Sequence, residues 1–226
     1  MQTAVLPKCL LSREQIGKRL AQDLKDGWLV NVGIGMPTLA ISHVLEDQHV
    51  ILHSENGIVG MGPPPAEEDA DPDLLGAGKG PVTLVAGGSY VHHADSFSII
   101  RGGRLDVAIL GAFQVAANGD LANWKLPHQK GGNVGGAMDI AVGAREVFAM
   151  MTHTTRDGSH KIVETLTYPV TAKHAVTRIF TDMAVISVTA DGLVLEEIAQ
   201  GLSVEEVQAA TGPKLIIAGT PRTIDV

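Results

Sequence analysis

The chain has 226 residues, of which 45% are hydrophobic, and its formal net charge is −8 at pH 7. This composition is typical of a globular protein with a sizeable core and excludes a disordered chain. The 17 lysine and arginine residues are scattered, which argues against a nucleic-acid-binding face. The single cysteine, Cys9, excludes an intrachain disulfide framework, and we interpret it as an incidental thiol.

The N-terminal part of the sequence predicts alternating helices and strands. Ser12 and Gln15 form a capping-box pattern that begins an amphipathic helix. Residues 28–32 and 50–53 predict two buried strands, and Pro37 begins a second helix between them. The alternation is typical of βαβ units. We therefore expect an α/β fold with a mostly parallel sheet and helices on both faces.

The stretch from residue 28 to residue 45 carries no charge, but it is not expected to cross a membrane. Gly33, Gly35 and Pro37 interrupt any continuous apolar helix there. The first residues have no positively charged leader before an apolar core, so they do not indicate a secretory signal. We expect a cytoplasmic protein.

The remaining sequence predicts a surface loop, six further strands and one helix. The acidic, proline-rich residues 62–73 predict a loop within one domain that spans residues 1–226. Ser203 and Glu206 form a second capping-box pattern, at the start of a final helix. The turn dipeptide Asp191-Gly192 predicts a hairpin between two further strands. The further strands, the first three of them buried, are predicted at residues 82–86, 105–110, 145–151, 183–189, 193–198 and 214–218.

Most catalytic motifs fail on inspection. The glycines at 33 and 35 are not followed by the third glycine of a dinucleotide fingerprint, because Thr38 holds that position. There is no Walker A, H-E-x-x-H or C-x-x-C sequence. His92 and His93 are adjacent, which is a poor spacing for two ligands of one metal ion, so no metal is expected.

Glu55 is the strongest candidate for a catalytic residue. It follows the predicted strand 50–53 and precedes the turn dipeptide Asn56-Gly57, so its carboxylate should emerge at the carboxyl edge of the sheet. Glycine clusters follow several predicted strands and allow close approach of the backbone to a ligand. The residues alone also permit a merely solvated glutamate and ordinary tight turns.

The run LHSENGIVG at residues 52–60 resembles the active-site signature of the beta subunit of family I 3-oxoacid CoA-transferases. Further matches follow the family order at residues 31–38, 101–103, 121–124 and 135–139, and the resemblance extends from about residue 12 to 200. It implies a CoA-transferase α/β fold. It also implies a hetero-oligomer in which this chain is active only with an alpha subunit.

The resemblance implies ping-pong chemistry with Glu55 as the nucleophile and a glutamyl-CoA thioester as the intermediate. CoA is then a co-substrate, and no permanently bound cofactor, ATP or metal is implied. Asn56 would orient the nucleophile, and the backbone N–H groups of Gly136 and Ala137 would stabilise the oxyanion. The glycines expected to let the backbone approach CoA are Gly33, Gly35, Gly132 and Gly135.

The resemblance implies succinyl-CoA as the donor and a 3-oxoacid as the acceptor. The His92-His93 pair is most similar to family members that act on 3-oxoadipate, whose second carboxylate would be held by His92, His93 or Arg101. Acetoacetate is the alternative acceptor, and the histidines are equally compatible with packing. The residues also leave open a general base in a sugar-phosphate isomerase or CoA-ester hydrolase, and a non-catalytic regulatory partner.

Overall fold

The computed structural model describes residues 10–44 and 48–226, so Cys9 lies outside the described residues. The helices are α1 (Arg13–Ala21), α2 (Thr38–Ile41), α3 (His93–Arg101), α4 (Ala137–Gly143) and α5 (Val204–Ala209), with a short 3-10 turn at Glu67–Asp69. The strands are β1 (Leu29–Val32), β2 (Ile51–Ser54), β3 (Ile58–Met61), β4 (Leu84–Tyr90), β5 (Val107–Gly111), β6 (Gln114–Ala116), β7 (Leu121–Ala122), β8 (Glu146–Met150), β9 (Ile162–Val163), β10 (Arg178–Phe180), β11 (Ala184–Thr189), β12 (Gly192–Ile198), β13 (Leu215–Ile216) and β14 (Arg222–Thr223).

One large sheet dominates the described chain, in the order β13-β12-β11-β10-β8-β5-β1-β2-β3-β4, with β14 beside β12. The centre of this sheet is parallel and consists of β2, β1, β5, β8 and β10 in that spatial order. Antiparallel pairs flank this centre on both sides. A small sheet, β7-β6-β9, lies apart from it. The prediction of a mostly parallel sheet is confirmed.

Helices cover both faces of the large sheet. Along β5, Val107 and Ile109 belong to one buried cluster, which also contains residues of α1 and α2. Ala108 and Leu110 belong to the other, which contains residues of α3, α4 and α5. This alternation follows from the two-residue period of a strand and confirms the expected helices on both faces.

Helix α1 begins as the capping box predicts. The Ser12 hydroxyl accepts from the Gln15 N–H, and the Gln15 side chain accepts from the Ser12 N–H. Ile16 and Leu20 are buried beneath it. The Arg19 guanidinium donates to the Glu197 carboxylate on β12 at 2.6 and 2.8 Å, which ties this helix to the far part of the sheet.

Strand β4 corrects two sequence expectations. A buried strand was expected at residues 82–86, whereas β4 runs over Leu84–Tyr90 at the edge of the sheet, with Val85 45% and Tyr90 59% exposed. Its apolar residues predicted burial, but an edge strand has a neighbour on one side only. At the other end of the chain, β13 is shorter than the predicted strand 214–218, and β14 follows it.

The predicted loop at residues 62–73 is largely exposed, and the predicted hairpin of β11 and β12 and the capped helix α5 are present. None of the helices in the described ranges has the length and hydrophobicity that crossing a bilayer requires.

Candidate active site

The carboxyl ends of four neighbouring parallel strands meet at an open cavity of about 740 Å³. Its lining includes Gly33 after β1, Glu55 after β2, Ala112 after β5 and Met151 after β8. Residues of the segment 123–136 and the start of α4 form the facing wall. Ligands of open α/β sheets bind at this edge, so the cavity is the candidate active site.

The register of β1 and β2 brings Asn31, His53 and Glu55 together. Asn31 pairs with His53 in the parallel ladder, and side chains two residues apart in extended chain point to one face. The Asn31 Nδ2 lies 3.2 Å from the His53 Nδ1 and 3.2 Å from the His53 carbonyl oxygen. It also lies 3.4 Å from the Glu55 Oε2. The side-chain amide of Asn31 on β1 thus reaches the carboxylate of Glu55, which follows the neighbouring strand β2.

The surroundings of the Asn31 amide fix its orientation. Its nitrogen faces the His53 carbonyl and the Glu55 carboxylate, which only accept, so a flipped amide would place oxygen against oxygen. The His53 Nδ1 therefore accepts, and its Nε2 carries the proton and donates to the Ser96 hydroxyl at 3.0 Å. Burial lowers the His53 pKa to about 4, so the imidazole is neutral at pH 7.

The Asn31 Oδ1 is the one buried side-chain oxygen or nitrogen without a hydrogen-bond partner in the described ranges. An unsatisfied buried acceptor costs about 1–3 kcal/mol, so this orientation of the Asn31 amide lowers the stability of the fold locally. The hydrogen bonds of the Asn31 Nδ2 offset that cost. Unsatisfied polar groups of this kind are often found at functional sites.

The Glu55 side chain is half-buried against the start of α4. A Cβ added to Gly136 would stand 3.5 Å from the Glu55 Cγ and 3.1 Å from the Phe97 ring and the Ile140 Cδ1. A side chain at this position would crowd the space beside the carboxylate. The Gly136 backbone therefore forms the wall against which Glu55 is held.

Lys161 is the basic residue of the described cavity lining, and Glu55 is the acidic one. The Lys161 Nζ donates to the Thr152 hydroxyl at 3.3 Å, just beyond β8. Burial lowers the Lys161 pKa to about 8, and the nearby Asp182 carboxylate partly opposes that shift. The ammonium is therefore partly stripped of water and still mostly protonated at pH 7.

A profile of the family described as Coenzyme A transferase matches residues 13–210. The chain belongs to this family. One subunit of a 3-oxoadipate CoA-transferase, from Acinetobacter baylyi, is 52% identical over 209 residues, which cover 92% of this chain and 96% of that relative. One subunit of a succinyl-CoA:3-ketoacid coenzyme A transferase, from Helicobacter pylori, is 45% identical over 173 residues, which cover 76% of this chain and 83% of that relative.

Solved structures agree on the fold of this coenzyme A transferase family member. An acyl-CoA transferase apoenzyme of Escherichia coli superposes with a TM-score of 0.76 at 21% identity, covering 98% of this chain. The chain spans 44% of that longer chain. A glutaconate coenzyme A-transferase of Acidaminococcus fermentans gives a TM-score of 0.68 at 16% identity and covers 97% of this chain and 91% of that one.

The structure brings most of the candidate residues of this transferase chain to one cavity. Glu55 lines it, together with Gly33, Gly132, Gly135, Gly136 and Ala137. Gly35 has a φ of 89° in the adjoining turn and is not part of the described lining. The Ala137 N–H already donates to the Val134 carbonyl at 3.1 Å, whereas the Gly136 N–H has no acceptor within the described chain. Of the predicted oxyanion pair, the Gly136 donor is therefore the free one.

The Asn56 side chain forms no hydrogen bond with Glu55 in the described ranges, although it was expected to orient that carboxylate. Its side-chain nitrogen donates to the Leu75 carbonyl at 2.7 Å and so fastens the end of the acidic loop to the β2–β3 turn. In a tight turn, adjacent side chains diverge. The amide that reaches Glu55 is that of Asn31, which the sequence showed only as part of a family motif.

His92, His93 and Arg101 are not among the described residues that line the cavity, so their expected contact with a substrate carboxylate stays a prediction. His92 caps α3 by accepting from the Ala94 N–H, and the His93 ring packs 4.9 Å from the Phe97 ring. The Arg101 guanidinium donates to the Asp139 carboxylate at 2.7 Å and is exposed. These residues belong to the outer surface of α3 in this chain.

Sequence reasoning missed Asn31, His53 and Lys161. The first two are found once the register of β1 and β2 is known, because that register pairs them. Lys161 stands before the two-residue strand β9, about a hundred residues from Glu55 in the sequence, and no local pattern marks it.

Proposed function

We propose that this chain is the nucleophile-bearing subunit of a two-chain CoA-transferase that moves CoA from succinyl-CoA to a 3-oxoacid, foremost 3-oxoadipate. The observation that carries the proposal is the Glu55 carboxylate at the carboxyl edge of the sheet, within reach of the Asn31 amide and against the Gly136 backbone. The 3-oxoadipate CoA-transferase relatives that are 52% identical to this chain support 3-oxoadipate as the acceptor.

The first half-reaction forms the enzyme-bound thioester. The Glu55 carboxylate attacks the thioester carbonyl of succinyl-CoA and displaces CoA thiolate, which leaves a mixed succinyl–glutamyl anhydride. The thiolate then attacks the glutamyl carbonyl, so that succinate leaves and a glutamyl-CoA thioester remains. The acceptor carboxylate repeats these two steps in reverse order, which releases 3-oxoacyl-CoA and restores the Glu55 carboxylate.

The residues around Glu55 suit this chemistry. A carboxylate is a weak nucleophile, and partial burial with one amide donor orients it without fully solvating it. The Gly136 N–H has no acceptor among the described residues, which supports it as the donor to the oxyanion of each tetrahedral intermediate. Gly33, Gly132 and Gly135 leave the cavity wall without side chains where CoA would pass.

A partner chain completes the proposed enzyme. The relatives that match over nearly their whole length are each named as one subunit of a transferase, and this chain spans less than half of the longer acyl-CoA transferase chain that shares its fold. The exposed apolar side chains Val85 and Tyr90 on the edge strand β4 are available for contact with a partner.

The test uses the two-chain complex with Glu55 replaced by glutamine. We expect turnover to fall on the order of 10⁴-fold or more, because the nucleophile is lost. The unchanged enzyme should gain the mass of CoA at Glu55 after succinyl-CoA is added, and borohydride should reduce that thioester. Glu68→Gln, in the exposed acidic loop, is the control and should retain both properties. Turnover without a CoA adduct at Glu55 would refute the proposal.

Acetoacetate is the second candidate acceptor, because succinyl-CoA:3-ketoacid transferase subunits are 45% identical to this chain. Comparing kcat/KM for the two acids with the same complex decides between them. A larger value for acetoacetate would overturn the preference for 3-oxoadipate and leave the chemistry at Glu55 unchanged.

A further inference from the structure

The cavity that contains Glu55 holds a basic residue with no role in the steps above. Of the described residues that line it, Glu55 and Lys161 are the two with charged side chains. The Lys161 Nζ has the Thr152 hydroxyl as its partner and forms no ion pair with a carboxylate in the described ranges. The Asp182 carboxylate is near Lys161 but forms no salt bridge with it, so the partly buried ammonium has no directly bonded carboxylate among the described residues and would be stabilised by an anionic ligand.

The position of this ammonium relative to Glu55 follows from the order of the strands. Thr152, which accepts from the ammonium, lies just beyond β8, and Glu55 follows β2, with β5 and β1 between them. Three strand spacings separate β2 from β8 by about 14 Å, and the two side chains extend into that space. An acyl chain of four to six carbons, with a contact at each end, fits such a gap.

The apolar residues that line the cavity together with Lys161 favour a carboxylate over a phosphate. Met150, Met151 and Phe113 line the same cavity, and the Lys161 carbonyl is fixed by the Val115 N–H at 2.9 Å. One desolvated ammonium balances the single charge of a carboxylate, whereas the phosphates of CoA carry several charges and remain better solvated at an open mouth.

We infer that Lys161 binds the remote carboxylate of acyl groups that carry a second acid, and so selects dicarboxylic over monocarboxylic substrates. This inference rests on the proposed function, in which both succinyl and 3-oxoadipyl groups have such a carboxylate. It assigns the selection to Lys161, in place of the surface residues His92, His93 and Arg101. Lys161 is a binding residue and takes no part in bond making.

The test compares two acceptors of equal chain length, 3-oxoadipate and 3-oxohexanoate, in the two-chain complex. In ping-pong kinetics, kcat/KM for an acceptor is independent of the donor half-reaction. In Lys161→Met, we expect kcat/KM for 3-oxoadipate to fall on the order of 100-fold, because a desolvated charge pair is lost, and that for 3-oxohexanoate to stay near its original value. Lys214→Met removes an exposed lysine and should change neither value.

The outcomes separate this inference from the proposed function. Equal losses for both acids, or no loss for either, would refute the role of Lys161 while leaving the CoA adduct at Glu55 intact. A raised KM for succinyl-CoA with both acids unaffected would assign Lys161 to a phosphate of the donor and would also refute it. Absence of the Glu55 adduct in the unchanged enzyme would refute the proposed function instead.

A pH profile tests the same inference without any substitution. Burial lowers the Lys161 pKa to about 8, with Asp182 opposing the shift. The other titratable groups nearby are Glu55, which lines the same cavity, and His153, which interacts electrostatically with Lys161 and whose pKa burial lowers to about 4. As pH rises through 8, Lys161 loses its charge. We therefore expect kcat/KM for 3-oxoadipate to fall relative to that for 3-oxohexanoate, and a constant ratio would contradict the inference.

Discussion

Glu55 is oriented by a residue that stands 24 positions earlier in the chain. The Asn31 amide is held in turn by the neutral imidazole of His53, which donates to the buried Ser96 hydroxyl. The direction of each of these hydrogen bonds is fixed, because the Glu55 carboxylate and the His53 carbonyl can only accept from the Asn31 amide. The Glu55 carboxylate is therefore oriented by a neutral amide donor rather than by a cation.

Replacing Asn31 tests this interpretation. Asn31→Ala removes the donor to Glu55, and we expect the rate of glutamyl-CoA thioester formation to fall roughly 10- to 100-fold, in line with the loss of one hydrogen bond to a charged group. Rapid-quench mass analysis of the adduct gives the rate. Asn56→Ala, which removes the neighbouring amide that binds the Leu75 carbonyl, is the matched control and should lose less. A larger loss in Asn56→Ala would contradict the assignment.

At the scale of elements, the contact between α3 and α4 sets the position of the Gly136 wall. α3 supplies Phe97, which lies against Gly136, and α4 begins at the next residue. At the other end of α4, the Gly143 backbone lies against the Ile100 carbonyl, and a Cβ on Gly143 would meet that oxygen too closely for any side chain. The absence of a side chain at both ends lets the two helices pack closely beside Glu55.

Gly143→Ala should therefore push α4 away from α3. We expect a loss of about 1–3 kcal/mol in the free energy of unfolding, as for other overpacked sites, together with a lower kcat because the Gly136 N–H moves. Denaturant unfolding and steady-state kinetics measure the two effects. Gly219→Ala is the control, because nothing lies within 4 Å of an added Cβ there. Unchanged stability in Gly143→Ala would show that the helices can separate freely.

At the scale of the whole molecule, two buried histidines tie distant parts of the chain together. His53 joins β1, β2 and α3. His153 shares hydrogen bonds of 2.8 Å with the Thr181 hydroxyl, just beyond β10, and with the Thr211 hydroxyl, after α5. Burial lowers the pKa of both imidazoles to about 4, so the folded chain keeps them neutral where an unfolded chain would protonate them.

The stability of the chain should consequently depend on pH. Above pH 6.5 both states leave these imidazoles neutral. As pH falls from 6.5 towards 4, the unfolded state binds protons that the folded state excludes, so the free energy of unfolding decreases by up to about 1.4 kcal/mol per pH unit for each histidine. Urea unfolding across this window measures the slope. His153→Gln should reduce the slope and the exposed His128→Gln should not, and a flat profile would contradict the prediction.

Much of the fold could be predicted from the sequence, because local signals carry it. Capping boxes marked the starts of α1 and α5, apolar runs marked β1, β5 and β8, and the turn dipeptide at Asp191-Gly192 marked the β11–β12 hairpin. The family and the place of Glu55 at a strand end were also predicted. Each of these features depends on residues that are neighbours in the chain.

The long-range features were decided by the tertiary structure. The exposure of β4 depends on which strands lie beside it, and the contact of Asn31 with Glu55 depends on the register of two strands. Lys161 precedes β9 of the small sheet, and it lines the cavity and contacts Thr152 just beyond β8 through a tertiary contact that no local pattern encodes. The sequence by itself determined the place of Glu55 at a strand end and the type of those elements that local signals mark, since local periodicity and turn chemistry encode these. The hydrogen-bond partners around Glu55 came from strand pairing, which joins residues too far apart in the chain for any local pattern to reveal.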